Sequence, residues 1–225
     1  MNATHASDQP LGPDAASILA SESWSLLATR SMLWNDRISR TTIFLTVLSA
    51  AVVVLALVAN ATGFGPATRT MALVLLPVVL LIGLATFVRL VEIGNEDMRL
   101  VLAMNRVRHG YLTIAPGLKP YFSTGHHDDQ QGLRASLLVA GPHDLHPWVH
   151  FLITAPTLVA TVDAAIAAAI VVLLMQATAA PSVLVVAAGA AAFLVAWGAL
   201  YLLNARTVQT LRASKPRFPT PAEDA

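Results

Sequence analysis

The sequence contains no cysteine. Disulfides, thiolate metal sites, cysteine nucleophiles and lipid attachment at a cysteine are excluded with it. Charge is also scarce. Asp, Glu, Lys and Arg make up 12% of the chain, about half the share of a soluble domain. No phosphate-binding glycine loop is present: Gly63-Phe-Gly65 lacks the remainder of any such motif. No serine sits in a Gly-x-Ser-x-Gly elbow. What fills the chain instead is apolar, at 56% of 225 residues. A core of that size cannot hide so much apolar surface, whereas a bilayer can.

The apolar residues are gathered into long runs. Residues 1–14 are small and polar, with Pro10 and Pro13, and read as a disordered tail. Over 15–41, Trp24, Leu27, Ser31, Trp34 and Ile38 recur at helical spacing, so a polar helix is expected to lead into the first span. That span is read at 42–62, a stretch without charge, followed by a tight turn at Gly63, Gly65 and Pro66. Ala59-Asn60-Ala61 looks like a cleavage site, but about 40 polar residues precede the apolar run, too long a leader for a signal peptide. The first span is therefore read as an uncleaved anchor. The sequons at Asn2 and Asn60 fall in the tail and at the membrane boundary and carry no argument.

A second span is read at 70–91, with Pro77 inside it as a possible kink. Helical periodicity continues past it through Leu100, Met104 and Val107 to about His109, where Gly110 is expected to stop the helix. The remainder of 92–148 is broken by proline and glycine and predicts turns and short helices, one of them near 130–139. Two further spans are read at 149–177 and 182–204, separated by a turn at Pro181 and Ser182. Their many alanines suit close helix packing, between the two spans or between subunits. Residues 205–225 form a basic, then acidic and proline-rich tail, read as disordered towards its end. The expected fold is all-α: a four-helix transmembrane bundle whose first two helices extend into a small cytoplasmic helical cap.

Basic residues set the orientation. If the termini and the central loop share one side, that side holds every lysine and arginine of the 14 except Arg69. This places both termini and the loop in the cytoplasm, with the protein in the cell (inner or plasma) membrane. Trp197 and Tyr201 suit interfacial anchors near the inner end of the fourth span, as does Trp148 where the third begins.

Few residues carry chemistry. Asp163 lies deep in the third span, where an acid costs at least about 2.5–3.5 kcal/mol and must be paired, protonated or facing water. The nearest cation is Arg89, about 6 Å different in depth when residues are counted from the outer turns. The two are expected to form an ion pair, or a cation or proton site, with Glu92 competing for the arginine. His143, His146 and His150 have spacings suited to a metal, but Pro147 interrupts the run and an interfacial or N-cap role is the preferred reading. His126-His127-Asp128-Asp129 is a weaker metal candidate on a loop. No cofactor and no nucleic-acid groove is expected.

Several stretches carry a resemblance: Trp34-Asn-Asp-Arg-Ile-Ser-Arg, Arg89-Leu-Val-Glu-Ile-Gly-Asn-Glu-Asp, Met104-Asn-Arg-Val-Arg-His-Gly-Tyr-Leu and Pro120-Tyr-Phe. Together they resemble a group of uncharacterised bacterial four-span membrane proteins, over about residues 24–129. The resemblance brings no activity with it. A looser similarity is to bacterial membrane proteins that enter the membrane after an Arg-x-x-Arg step, some of them oligomeric. The expected function is a non-enzymatic scaffold or partner-binding module, in contact with the bilayer and assembled as a homo-oligomer or with a protein partner. The alternative is an ion- or proton-coupled transporter or oligomeric channel using Asp163. A metal-dependent enzyme built on the membrane-proximal histidines is the third possibility.

Overall fold

A computed structural model describes residues 12, 14–138, 154–178, 180–212 and 215–221. These residues are helical almost throughout, with no strand among them. The chain runs α1 (Ala15–Thr62), α2 (Pro66–Ile114), a 3₁₀ helix (Pro116–Tyr121), α3 (Gln130–Leu138), α4 (Ala155–Gln176) and α5 (Ser182–Arg212). Four of these helices are long and apolar enough to cross a membrane: α1, α2, α4 and α5. The chain is a multi-pass membrane protein. The shortest, α4, has 22 residues, about 33 Å of helix against a hydrocarbon core of about 30 Å.

The sequence explains the boundaries. No proline or glycine interrupts α1 from Ala15 to Thr62, so nothing breaks its 48-residue length. It ends at Gly63, whose φ of 69° lies in the left-handed region that glycine enters without cost. Thr68 closes the turn by donating to the Gly63 carbonyl at 2.6 Å. Pro66 then opens α2, where its missing N–H would have lacked a partner anyway. One expected end is corrected. Gly110 does not stop α2, which continues to Ile114. Its role is close approach: a Cβ there would lie 2.9 Å from Leu19 Cδ1. The fourth span, read at 182–204, lies within α5, which continues to Arg212. The expected start of the third span at 149–153, and Trp148, lie outside the described residues.

The chain divides into two compact units. The spanning unit comprises Trp34–Asn95 and Leu145–Leu211. Its core is Phe44 and Ala51 from α1, Val79, Phe87, Leu90 and Val91 from α2, Val159, Ala160 and Ile166 from α4, and Leu200 from α5. Small residues let these helices meet. A Cβ on Gly83 of α2 would collide with the Asp163 carboxyl of α4 and lie 2.8 Å from Phe44 Cε2. One on Gly189 of α5 would lie 2.6 Å from Val172 Cγ2 of α4, so these two helices pack on each other through small residues. Val52, Leu57, Leu81, Leu194 and Val195 point outward and exposed, as lipid-facing side chains do.

The polar unit comprises Met1–Leu33, Glu96–Asp144 and Arg212–Ala225. Here α1 and α2 meet through Leu19 on Gly110 and through Arg30, whose Nε lies 2.7 Å from Asp97 Oδ1. The C-terminal stretch, expected to be disordered, instead docks over residues 215–221. Arg217 and Phe218 donate their backbone N–H groups to Asp128 at 3.0 and 2.6 Å, and Thr220 donates to Asp129 at 2.6 Å. The Asp128 amide returns a bond to the Phe218 carbonyl at 3.2 Å.

Candidate functional site

The expected partners Asp163 and Arg89 do not meet. Asp163 is buried, and neither carboxyl oxygen has a hydrogen-bond partner among the described residues. It abuts Gly83 and Phe44. Arg89 follows Gly83 by six positions along α2, about 9 Å of axial rise and roughly 120° away around the helix. Counting depth from the turns compared heights but ignored phase, which is why the pair fails. Arg89 is engaged lower down. Its guanidinium contacts Asp36 Oδ2 at 3.3 Å and Glu92 Oε2 at 3.2 Å. Glu92 does share the arginine, as a partner in that cluster and not as a rival of Asp163.

Asp36 is the residue that reading the sequence missed. It binds Arg89 through one oxygen and Arg40 Nε, at 2.8 Å, through the other. The signal was available: Asp36 precedes Arg40 by one helical turn and lies just outside the first apolar run, as Glu92 lies just outside the second. Two helices entering the membrane at one level bring such residues side by side.

Two buried side chains of the polar unit, Asn105 and Asp128, are closely satisfied. The Asn105 side chain is fully buried. Its amide donates to the carbonyls of His127, at 2.9 Å, and Gly132, at 3.1 Å. Its oxygen accepts from Arg108 at 2.7 Å and Ser136 at 2.8 Å. This one side chain ties α2 to the loop and to α3. Asp128 has a buried carboxylate and takes Arg106 Nε at 2.6 Å besides the two tail amides. Burial alone would raise its pKa, but the N–H groups of Arg217 and Phe218 and the Arg106 guanidinium outweigh it and hold it below the ordinary carboxylate range. Asp129 is lowered in the same way, its burial outweighed by the N–H groups of Gly132 and Thr220.

The histidines of this region stack more than they ligate. His109 lies on the Phe218 ring at 4.3 Å, and His126 and His127 are 4.2 Å apart. The Nδ1 atoms of His109 and His127 are buried without a hydrogen bond. Burial, then the neighbouring His127, push the His109 pKa down. Asp128 and Asp129 turn to the C-terminal stretch and to α3. Among the described residues no group of three His, Asp or Glu could hold a metal. His143, His146 and His150 lie outside the described residues.

An open cavity of about 560 Å³ completes the inventory. It lies in the spanning unit, between the lower ends of the helices, and Arg37 is its cation. Comparison of the chain with protein-family models, curated proteins and solved structures returned no match.

Proposed function

We propose that this chain is a membrane-embedded scaffold that assembles with further copies of itself, its termini and polar unit in the cytoplasm. The observation that carries the reading is on the polar stretch of α1, before the apolar run. There Ile18, Trp24, Leu27 and Met32 stand exposed, Trp24 at 72% and Met32 at 71%. Large apolar side chains outside lipid normally find cover in a core or an interface. Tryptophan is also the residue most enriched in interface centres. The orientation is supported by the placing of the basic residues, which lie on the loop-and-termini side except for Arg69. The test is the mass of the protein in lipid nanodiscs, with Trp24→Ser and Met32→Ser introduced together. A wild-type oligomer that the double variant reduces to monomer, with helicity unchanged, is the expected result. An assembly indifferent to both substitutions contradicts it.

A second reading, ion or proton coupling through Asp163, is favoured by one observation: a buried carboxyl with no partner. An ionisable group inside a span is a functional candidate by default, because lipid penalises it. Asp163→Asn separates the readings. Intact assembly with lost proton or cation flux in proteoliposomes supports coupling, and flux indistinguishable from empty liposomes in the wild type removes it.

A further inference from the structure

The cavity between the lower ends of the spanning helices has a composition that points to one class of ligand. Every spanning helix contributes to it: Trp34 and Arg37 from α1, Leu90 and Gly94 from α2, Pro156 from α4 and Asn204 from α5. At about 560 Å³ it falls within the roughly 300–1,000 Å³ of small-molecule sites. One cation faces it and no acidic side chain lines it among the described residues.

That cation makes no ion pair among the described residues. Arg37 has a buried Nε with no hydrogen-bond acceptor among the described residues. Its guanidinium lies over the Trp34 ring, 5.6 Å from the centroid. Its neighbours are not in this state, because Asp36 takes both Arg40 and Arg89. The adjacent carboxylate is thus already occupied. The start of α4 adds to the field: Thr154 gives its first turn no side-chain cap, and the N-terminal end of a helix attracts anions. The rest of the wall is apolar, from Ile38, Leu90 and Pro156. The cavity lies where the uncharged runs of α1 and α2 give way to Arg37, Arg40 and Arg89, the level of lipid headgroups.

We infer that this cavity seats the headgroup of an anionic phospholipid, its phosphodiester on Arg37 and its glycerol and upper chains along Ile38 and Leu90. An apolar wall at headgroup depth fits a lipid better than free phosphate. The lack of an acidic lining residue disfavours a zwitterionic headgroup, whose ammonium would find no counter-charge. The inference stands independently of self-assembly through α1.

Native mass spectrometry of the full chain in detergent tests it, with phosphatidylglycerol, phosphatidylcholine and glycerol 3-phosphate as probes at matched concentration. The expected result is retention of one phosphatidylglycerol, with neither other probe retained. Arg37→Gln weakens that retention about tenfold, the loss of one charge-assisted hydrogen bond, while Arg40→Gln leaves it within about twofold. Gly94→Leu serves as a second variant. A Cβ at Gly94 meets nothing within 4 Å, so the larger side chain fills the cavity without a clash and abolishes retention in a folded protein. Equal retention of phosphatidylcholine overturns the inference. So do equal retention of glycerol 3-phosphate, equal losses in Arg37→Gln and Arg40→Gln, and undiminished retention in Gly94→Leu.

Discussion

In the polar unit the buried Asn105 side chain makes four hydrogen bonds, whereas in the spanning unit the equally buried Asp163 carboxyl makes none. The two residues show what holds each unit together. Asn105 lies on α2 beside the irregular loop at 122–129. Its two donors and one acceptor tie that loop, through the His127 carbonyl, and the first turn of α3, through the Gly132 carbonyl, to α2. Around Asp163 the backbone is entirely helical and needs no such help. There the contact is close approach through Gly83, the means by which helices associate in lipid. An unpartnered carboxyl in that setting adds cost, not adhesion.

The comparison can be broken first at Asn105. Asn105→Ala takes the side-chain donor from the His127 and Gly132 carbonyls and the acceptor from Ser136, at roughly 1–3 kcal/mol for each buried group, while Arg108 keeps the Gly125 carbonyl. The polar unit should lose about 3 kcal/mol or more. Hydrogen exchange should rise across 101–138 and stay unchanged in the apolar runs. Equal loss of protection in both units would mean that they do not differ as described.

The next effect is at Gly83. Gly83→Ala forces a Cβ onto Asp163 and should cost about 1–3 kcal/mol, read as a lowered unfolding temperature in detergent. Asp163→Ala in the same chain should recover part of that loss, the rest belonging to the Phe44 ring 2.8 Å from the new Cβ. A double variant no more stable than the single one would show that the close contact is not with the carboxyl.

Acid should weaken the polar unit. Asp128 and Asp129 have depressed pKa values in the fold. Their contribution is therefore full above the unfolded value of about 3.9 and is lost as pH falls through the folded value. His109, also depressed, acts in the same direction from about pH 6.5 downward, because the fold favours its neutral form. The amides of Arg217, Phe218 and Thr220 should begin to lose exchange protection below about pH 6.5 and lose the rest under strong acid. Protection that increases on acidification would reverse the sign. The smallest effect belongs to the half-exposed Arg40–Asp36 pair. Arg40→Gln should change stability by less than about 1 kcal/mol, a baseline for the other variants.

The four spans were legible because lipid imposes an uncharged run of fixed length, and three such runs need only be counted between their flanking charges. Helix α4 was legible in its body, whereas the expected span start at 149–153 falls outside the described residues. What the sequence hid depended on phase or on backbone. Gly110 looks like a stop, yet a glycine inside a helix serves equally to admit a neighbour such as Leu19. Arg89 lies six positions along α2 from Gly83, which Asp163 abuts, so the pair misses by rotation as well as by about 9 Å of height. The docking of the C-terminal stretch uses backbone N–H groups of Arg217, Phe218 and Thr220, which leave no mark in side-chain composition. Asn105 sits among arginines in a periodic helix and nothing in its surroundings distinguishes it as a hub.

The absence of native cysteine makes the central claim directly testable, since each introduced thiol is the only one in the chain. Phe64→Cys lies in the turn between α1 and α2, at a position that is 95% exposed, and Ser123→Cys lies in the exposed loop after the 3₁₀ helix. In intact cells a membrane-impermeant maleimide should label the first and spare the second until the cells are opened. Labelling of both before opening, or of Ser123→Cys alone, would contradict a protein whose apolar helices cross the bilayer and keep the polar unit inside.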